Sequence, residues 1–411
     1  MKKFILFFII SISVLNRSVA ASSEKKLELE IKMIEEVYNP DVKQSIVAAD
    51  ELLKHSPKHT KAHFEKARAL AYLDRHEEAL VSFDLALKYR YKDLCSLYYC
   101  IGYSLEAIGK LKDAIKFYDL SIYYEKDSHS GISYFDRDRV LMKLGKLGPD
   151  GEKIIDLEEE FVWVTASDKE WERTLILADE LLKYKIAHPC VYFKKASALR
   201  QLGRYEEALI SYDLALKAKY RPLGYLYYER GLAFEALGKL KEALVSYELS
   251  IKSPYRNNCK SIYFAKDRVL MKLGKLKPAG QKIIALEERF LSASNYDWLE
   301  RLIVADELIK YKINYPEVYF EKAQGLKMLG RYEEALISYD LALKYKYRPL
   351  SFLYGCKADA LEELGRLEDA LAVLNQAMEH TCNNTINKAR YDIFKKIGKN
   401  IDKVETSNIN Q

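Results

Sequence analysis

The sequence predicts an all-α protein in which antiparallel helix pairs stack into an α-α superhelix, and three observations support this prediction. The chain of 411 residues is too long for one compact core. Only 9 Pro and 17 Gly interrupt it, which favours long helices over sheets with frequent turns. The segment RHEEALVSFDLALK at 75–88 recurs as RYEEALISYDLALK at 204–217 and 331–344, with apolar residues at helical intervals.

Two periods organise the chain. The central alanines of the recurring segment, Ala79, Ala208 and Ala335, are 129 and then 127 residues apart. Within each long block a second alanine follows 35 residues later, at Ala114 and Ala243 in the first two blocks. A unit of this length accommodates two helices and a short turn, so each block is predicted to contain several helix pairs.

The short units share small and large residues at fixed places. In the unit that begins at Pro189, Tyr192 and Leu199 are large residues of the first helix, Ala196 is the small one, and Gly203 lies in the turn. These units resemble tetratricopeptide repeats, in which small residues let two helices approach closely and aromatic residues fill the space beside them. Six units match the pattern, and they begin at Thr60, Cys95, Pro189, Gly224, Pro316 and Ser351.

Each block also departs from the family pattern. After two good units comes a helix such as Asp138–Gly145, followed by a degenerate pair that lacks the turn glycine. We therefore predict seven helices per block. An odd number cannot continue a plain alternation of antiparallel helices, so the superhelix is expected to change pitch at each block boundary. Pro222 and Pro349, which follow second helices, are expected to stop them.

The predicted domain organisation follows from these periods. The array needs polar capping elements at its ends, and the polar terminus is expected to fray. The predicted segments are a signal peptide at 1–20, a capping helix pair at 21–59, repeat block 1 at 60–188, repeat block 2 at 189–315, a partial block 3 with a C-terminal cap helix at 316–398, and a flexible tail at 399–411.

Residues 1–20 predict export. Lys2 and Lys3 precede an apolar run from Phe4 to Leu15, and the segment Ser18–Ala20 offers small residues for cleavage. This run is shorter than the roughly 20 residues that a membrane-spanning helix needs. We expect no membrane span after cleavage, and a periplasmic or secreted bacterial protein.

Composition and motifs argue against several other functions. The 66 Lys and Arg are interspersed with 60 Asp and Glu, so no nucleic-acid surface is expected. The chain has no catalytic or phosphate-binding motif, and we predict no enzyme activity and no cofactor. His55, His59 and His63 recur at four-residue intervals, but Pro57 interrupts any helix that would align them. We predict no metal site.

Six cysteines in an exported chain raise the possibility of disulfides, but their spacing is irregular and no CxxC occurs. We expect small apolar cysteines instead. They are Cys95, Cys100, Cys190, Cys259, Cys356 and Cys382.

A peptide-binding surface is the remaining candidate site. In tetratricopeptide repeats, the residue after the core aromatic of the first helix usually faces a concave groove where peptides lie. The resemblance implies this role for five aromatic residues, with hydrogen bonds from three residues one turn further on; the alternative is extra packing between helices. The Lys and Asn carboxylate clamp of some family members is absent here. The candidate residues are Phe64, Tyr99, Phe193, Tyr228 and Phe320, with Arg68, Ser197 and Gln324.

The sequence thus predicts an exported scaffold or adaptor that binds a protein or peptide segment and catalyses nothing. The alternative is a structural spacer of the cell envelope that associates with itself through its outer faces.

Overall fold

The structure, a computed structural model, describes residues 42–124, 131–167, 169–186, 188–253, 259–276, 279–293 and 297–380, and residues 29, 32, 386, 388–390, 392–393 and 395–397. Within these residues every regular element is an α-helix, so the predicted all-α class is confirmed. The predicted signal peptide and tail lie outside them. No described helix is both long and apolar enough to cross a bilayer. The helices are α1 (Val42–His55), α2 (Thr60–Tyr72), α3 (His76–Lys88), α4 (Leu94–Ala107), α5 (Leu111–Tyr124), α6 (Ile132–Lys143), α7 (Gly151–Ala166), α8 (Trp171–Lys183), α9 (Pro189–Gln201), α10 (Tyr205–Lys217), α11 (Leu223–Ala236), α12 (Leu240–Lys252), α13 (Cys259–Lys272), α14 (Gly280–Ser292), α15 (Trp298–Lys310), α16 (Pro316–Met328), α17 (Tyr332–Lys344), α18 (Leu350–Glu363) and α19 (Leu367–His380).

The described residues form two compact units. The first takes in the chain up to Lys92, Leu326–Asp340 and the chain from Pro349 on; the second is Asp93–Gly325 with Leu341–Arg348. In the first unit α1 packs against α2, α2 against α3, and α18 against α19. In the second, each helix from α4 to α14 packs against the next. Packing between sequence neighbours is typical of a repeat array.

Helices α2–α8 lie within residues 60–188, and α9–α15 lie within 189–315. Each range therefore contains seven helices among its described residues, the number that the sequence predicts. The odd helix of the pattern, which follows the two regular helix pairs, is the fifth of each range: α6 in the first and α13 in the second. It packs against the helix before it, α5 or α12, in the same way that the regular helices follow one another.

Small residues face large ones where helices pair. A β-carbon at Gly231 of α11 would lie 2.5 Å from Cε1 of the buried Tyr247 of α12. At the matching place in the preceding block, a β-carbon at Gly102 would lie 3.0 Å from Tyr118. The absence of a side chain on one helix thus makes room for an aromatic ring of the other, as the sequence pattern predicts.

A left-handed residue, rather than a proline, ends the second helix before Pro222 and the one before Pro349. Lys219 has φ 65°, and its N–H donates to Leu216 while the Tyr220 N–H donates to Ala215, which closes α10 at Lys217. Pro222 is instead the N-cap of α11, and Pro349 is the N-cap of α18. The prediction that these prolines stop the preceding helix is therefore wrong, because that helix has already ended.

One ion pair recurs in the register of the blocks. Lys66 Nζ lies 2.6 Å from Asp50 in the first unit. In the second unit, Lys195 Nζ lies 2.5 Å from Asp179, and Lys322 Nζ lies 2.6 Å from Asp306. Each pair joins the first helix of a regular unit (α2, α9 or α16) to the helix before it (α1, α8 or α15). The partners are partly exposed, so each pair contributes about 1 kcal/mol or less.

Candidate functional site

The three candidate phenylalanines are buried between helices. Phe193 is 2% exposed, and its ring stacks on Tyr220 with centroids 4.3 Å apart and planes 11° apart. Phe64 stacks on Tyr91 at 4.4 Å in the first unit, and Phe320 stacks on Tyr347 at 4.3 Å in the second. Because so little of each ring is exposed, it offers a peptide almost no contact area. The packing alternative, rather than the peptide-binding role, describes these three residues.

The two candidate tyrosines are half-buried. The Tyr99 hydroxyl donates to Asp136 Oδ2 at 2.7 Å, and burial together with this carboxylate raises the Tyr99 pKa. Tyr228 lies beside Ser261, with its ring 6.1 Å from that of Tyr247, and burial raises its pKa as well. Both tyrosines therefore keep a neutral hydroxyl that can donate a hydrogen bond.

The three polar candidates differ in exposure. Arg68 is exposed, donates to Glu65 at 2.9 Å, and places its guanidinium 5.8 Å from the centre of the Phe64 ring. Ser197 and Gln324 are half-buried. Phe64 and Arg68 belong to the first unit, and the other six candidates belong to the second.

Arginine–carboxylate pairs cross between helices of the second unit. Arg139 of α6 donates to Glu106 of α4, and Arg268 of α13 donates in the same way to Glu235 of α11. Burial alone would raise the pKa of Glu106 and Glu235. Hydrogen bonds from these arginines and from Lys143 and Lys272 outweigh burial, and each carboxyl has a pKa of about 2.

A cleft of about 220 Å³ opens between α6 and α7, and we call it the junction cleft. Two helix faces form it, because its residues recur at three- and four-residue spacing on each helix. Trp163 stands at its edge with 81% of its surface exposed, and Ile132 is exposed too. The lining residues are Ile132, Phe135, Asp136 and Arg139 of α6 and Ile155, Glu158, Glu159, Val162 and Trp163 of α7.

One of the eight candidates, Tyr99, is hydrogen-bonded to a residue of the junction cleft, Asp136. Arg139, another lining residue, also binds Asp136 and so fixes that carboxylate from the other side. The block register places Ala265 where the first block has Asp136, and Ser292 where it has Trp163. The aromatic edge is thus particular to the first block. A comparison of equivalent positions between blocks would have drawn attention to this tryptophan.

Three buried titratable side chains meet behind the cleft, and we call them the junction triad: Asp138 of α6, Glu158 of α7 and His188, the N-cap of α9. His188 Nε2 lies 3.0 Å from Asp138 Oδ2 and 3.5 Å from Glu158 Oε1. Burial alone would lower the His188 pKa, but the two carboxylates raise it. Burial raises the Glu158 pKa to about 7. Sequence analysis missed the triad because its members come from three separate segments.

The second block has a related cluster with a tyrosine in place of the histidine. The Tyr315 hydroxyl donates to Asp267 Oδ2 at 2.5 Å. Burial and the neighbouring Asp267 raise the pKa of Glu287. The chain thus contains two versions of one junction, which differ in the third side chain.

The histidines 55, 59 and 63 have structural roles where the structure shows their contacts. The His59 side chain accepts from the Ala62 N–H and caps α2, and His63 Nε2 lies 2.9 Å from the Pro57 carbonyl oxygen. The two histidines therefore engage backbone groups of the turn.

The cysteines whose side chains are described are buried or half-buried. Cys190 and Cys356 are buried, whereas Cys95 and Cys100 are half-buried. This placement fits the expected small apolar role. The side chains of Cys259 and Cys382 lie outside the described part of the chain.

Comparisons with known proteins concern the regular units. Residues 191–221 and 225–254, which contain most of α9–α12, match the family model described as tetratricopeptide repeat. No curated protein matches this sequence.

Among solved structures, the TPR domain of P58(IPK) is 13% identical over 92% of this chain and 98% of that chain, with a TM-score of 0.28. The TPR2AB domain of yeast Sti1 in complex with pHSP90 is 20% identical over 59% and 99%, with a TM-score of 0.25. A tetratricopeptide repeat protein from Parabacteroides merdae ATCC 43184 is 14% identical over 74% and 98%, with a TM-score of 0.25. TM-scores this low carry no information about how the helices of this chain are arranged or what the chain binds.

Proposed function

We propose that this chain, which carries tetratricopeptide repeats, is an exported bacterial scaffold that binds a segment of another protein and has no catalytic role. Its point of contact in the second unit is the junction cleft. Export rests on the signal-peptide pattern of residues 1–20. The absence of catalysis rests on the lack of catalytic motifs in the sequence.

The exposure of Trp163 is the observation that carries the cleft assignment. A tryptophan that is 81% exposed leaves a large apolar ring in water. Burial of apolar surface contributes roughly 25 cal/mol per Å², and tryptophan is enriched among the residues that dominate binding energy in protein interfaces. A partner that covers Trp163 therefore gains affinity from a side chain that contributes little to folding.

The rest of the cleft fits a protein segment. Ile132 and Val162 extend the apolar edge, while Arg139 and Glu159 supply charged groups of both signs. At about 220 Å³ the cleft is smaller than the ~300–1,000 Å³ pockets that usually hold small-molecule ligands. It accommodates one apolar side chain of a peptide that continues along the helix surfaces.

The test replaces Trp163 with the residue that the second block has at the equivalent position. Trp163→Ser converts the edge of the first cleft to the residue found at Ser292. The variant should keep its helical circular dichroism and lose at least tenfold in affinity for the partner recovered with the unmodified chain. Tyr123→Ser is the control, because Tyr123 is 78% exposed and lies outside the cleft. Equal partner binding by the unmodified chain and Trp163→Ser would refute the cleft assignment.

A second candidate function is self-association as a spacer, and one feature favours it. Val81 of α3, Ile210 of α10 and Ile337 of α17 occupy equivalent register positions and are all exposed. Exposed apolar residues repeated in register suit contacts between copies. Sedimentation and partner binding of the variant Ile210→Ser distinguish the two functions. If the chain is a self-associating spacer, the substitution shifts its oligomeric state towards monomer. If it is a scaffold, partner binding is unchanged.

A further inference from the structure

We propose that the junction triad, Asp138, Glu158 and His188, binds one divalent transition-metal ion of the Zn²⁺ class. Among the described residues these are the three metal-ligating side chains whose ligand atoms all lie within 4.8 Å of one another. One nitrogen and two carboxylate oxygens form a donor set that suits Zn²⁺.

The separations of the donors are close to those of a coordinated ion. Zn²⁺ bonds of about 2.0–2.2 Å in tetrahedral geometry place neighbouring donors about 3.3 Å apart. His188 Nε2 is 3.0 Å from Asp138 Oδ2 and 3.5 Å from Glu158 Oε1. Small rotations of the two carboxylates would bring all three donors onto one ion.

Glu158 gives an independent reason to place a cation here. Its side chain is 1% exposed, and neither of its oxygens has a hydrogen-bond partner. A buried carboxylate without hydrogen bonds is costly, and a bound cation removes that cost. The ion replaces the proton that His188 Nε2 presents to the two carboxylates, and that proton passes to solvent.

Neighbouring residues hold the donors in place. Arg137 donates to Asp138 Oδ1 at 3.3 Å, which leaves Oδ2 directed at His188. The rings of Tyr134 and Phe135 lie 4.8 Å and 5.8 Å from the His188 ring and restrict its rotation. Partners that orient metal ligands in this way contribute to affinity.

The site has a route to solvent. Glu158 lines the junction cleft as well as the triad, so an ion can enter from the cleft. A water molecule from the same side can occupy the fourth coordination position, since three protein donors leave one position of a tetrahedral ion open.

The second block provides a matched comparison. Tyr315 replaces the histidine, and burial together with Asp267 raises the pKa of its hydroxyl, so the phenol stays protonated and is a poor ligand at neutral pH. The metal site is therefore specific to the first junction.

The experiment measures metal stoichiometry of the full chain without partner protein, so it does not depend on the proposed scaffold function. The chain is produced without a histidine tag, dialysed against Zn²⁺, and analysed for bound metal; Co²⁺ absorption reports the coordination. We expect one equivalent in the unmodified chain, none in His188→Tyr, and two in Tyr315→His. His55→Ala should keep its one equivalent, which separates the triad from the histidines of the turn.

Circular dichroism and melting of each variant show that it is folded. The proposal is overturned if the unmodified chain binds no Zn²⁺, or if its one equivalent survives His188→Tyr in a folded protein. Loss of that equivalent in His55→Ala would assign it to the turn and likewise overturn the proposal. A value of one in folded Tyr315→His would show that these three side-chain types do not suffice, which contradicts the proposal as stated.

Discussion

Arg139 and Glu106 form a two-pronged pair in which Nε donates to Oε1 at 3.0 Å and Nη2 donates to Oε2 at 2.9 Å. Arg268 and Glu235 repeat it 129 residues later, at 2.7 Å and 2.8 Å. Each pair joins the fifth helix of a block to the first helix of the preceding unit. A parallel two-bond geometry fixes direction as well as distance, so these pairs set how the irregular helix packs against the regular units.

Removal of one such carboxylate should be destabilising. Glu235→Gln removes the negative charge that faces Arg268 and Lys272 and replaces one of its two acceptor oxygens with an amide donor, and a hydrogen bond to a charged group contributes about 1.5–3 kcal/mol. We expect the free energy of unfolding in urea to fall by about 2 kcal/mol. Glu242→Gln, on the exposed first turn of α12, is the control and should change it by less than about 0.5 kcal/mol. Equal effects would mean that the pair has no special role.

The same carboxylates predict how stability responds to acid. Glu106 and Glu235 have a pKa of about 2 in the folded chain, below the ordinary 4.5. The folded state binds fewer protons than the unfolded state between these values, so the stabilisation is complete above pH 4.5 and is lost as the pH falls towards 2. Melting temperatures from pH 6 to 2.5 should decline less steeply in Glu106→Gln/Glu235→Gln than in the unmodified chain. An equally steep decline of the melting temperature in the double variant would contradict a stabilising role for these two arginine–glutamate pairs.

Glu287 predicts the opposite trend at higher pH. Burial and Asp267 raise its pKa, so the folded state holds a proton that the unfolded state releases above pH 4.5. Stability from this group is therefore lost as the pH rises from 4.5 towards the raised folded value. Glu287→Gln replaces this carboxyl with a neutral amide that does not titrate. We expect the variant to flatten the decline in melting temperature between pH 6 and 9; a decline as steep as that of the unmodified chain would show that Glu287 is not its source.

Phe193 is expected to contribute to folding. Phe193→Ala removes a buried ring that stacks on Tyr220 and should lower the free energy of unfolding by about 3–5 kcal/mol. Tyr123→Ala, which removes an exposed ring, is the matched control and should change it by less than about 0.5 kcal/mol. Denaturant unfolding of both variants checks this. A Phe193→Ala variant as stable as the control would contradict the packing role of Phe193 and favour its peptide-binding role.

The number of helices and the pairing of small and large residues could be predicted from the sequence because both depend on local spacing. The burial of the phenylalanines could have been predicted as well. Phe64 and Tyr91, Phe193 and Tyr220, and Phe320 and Tyr347 are each 27 residues apart, and each pair is stacked. An aromatic partner at a constant spacing favours packing over ligand binding.

The junction cleft and the junction triad could not be predicted in this way. Asp138, Glu158 and His188 come from two helices and a cap separated by 20 and 30 residues, and no short motif joins them. Their meeting depends on how the fifth helix of the block packs against the degenerate pair, and the repeat period does not specify that packing. The Asp136 carboxylate that binds Tyr99 depends on the same junction.

The central claim, that the cleft edge at Trp163 contacts a protein partner, is tested most directly by site-specific photo-crosslinking. Benzoylphenylalanine is placed at position 163 in one variant and at position 292, the exposed equivalent in the second block, in another. After irradiation in the native cell, we predict one defined protein adduct from position 163 and none of that size from position 292. The same adducts from both positions, or none from position 163 in a folded chain, would contradict the claim.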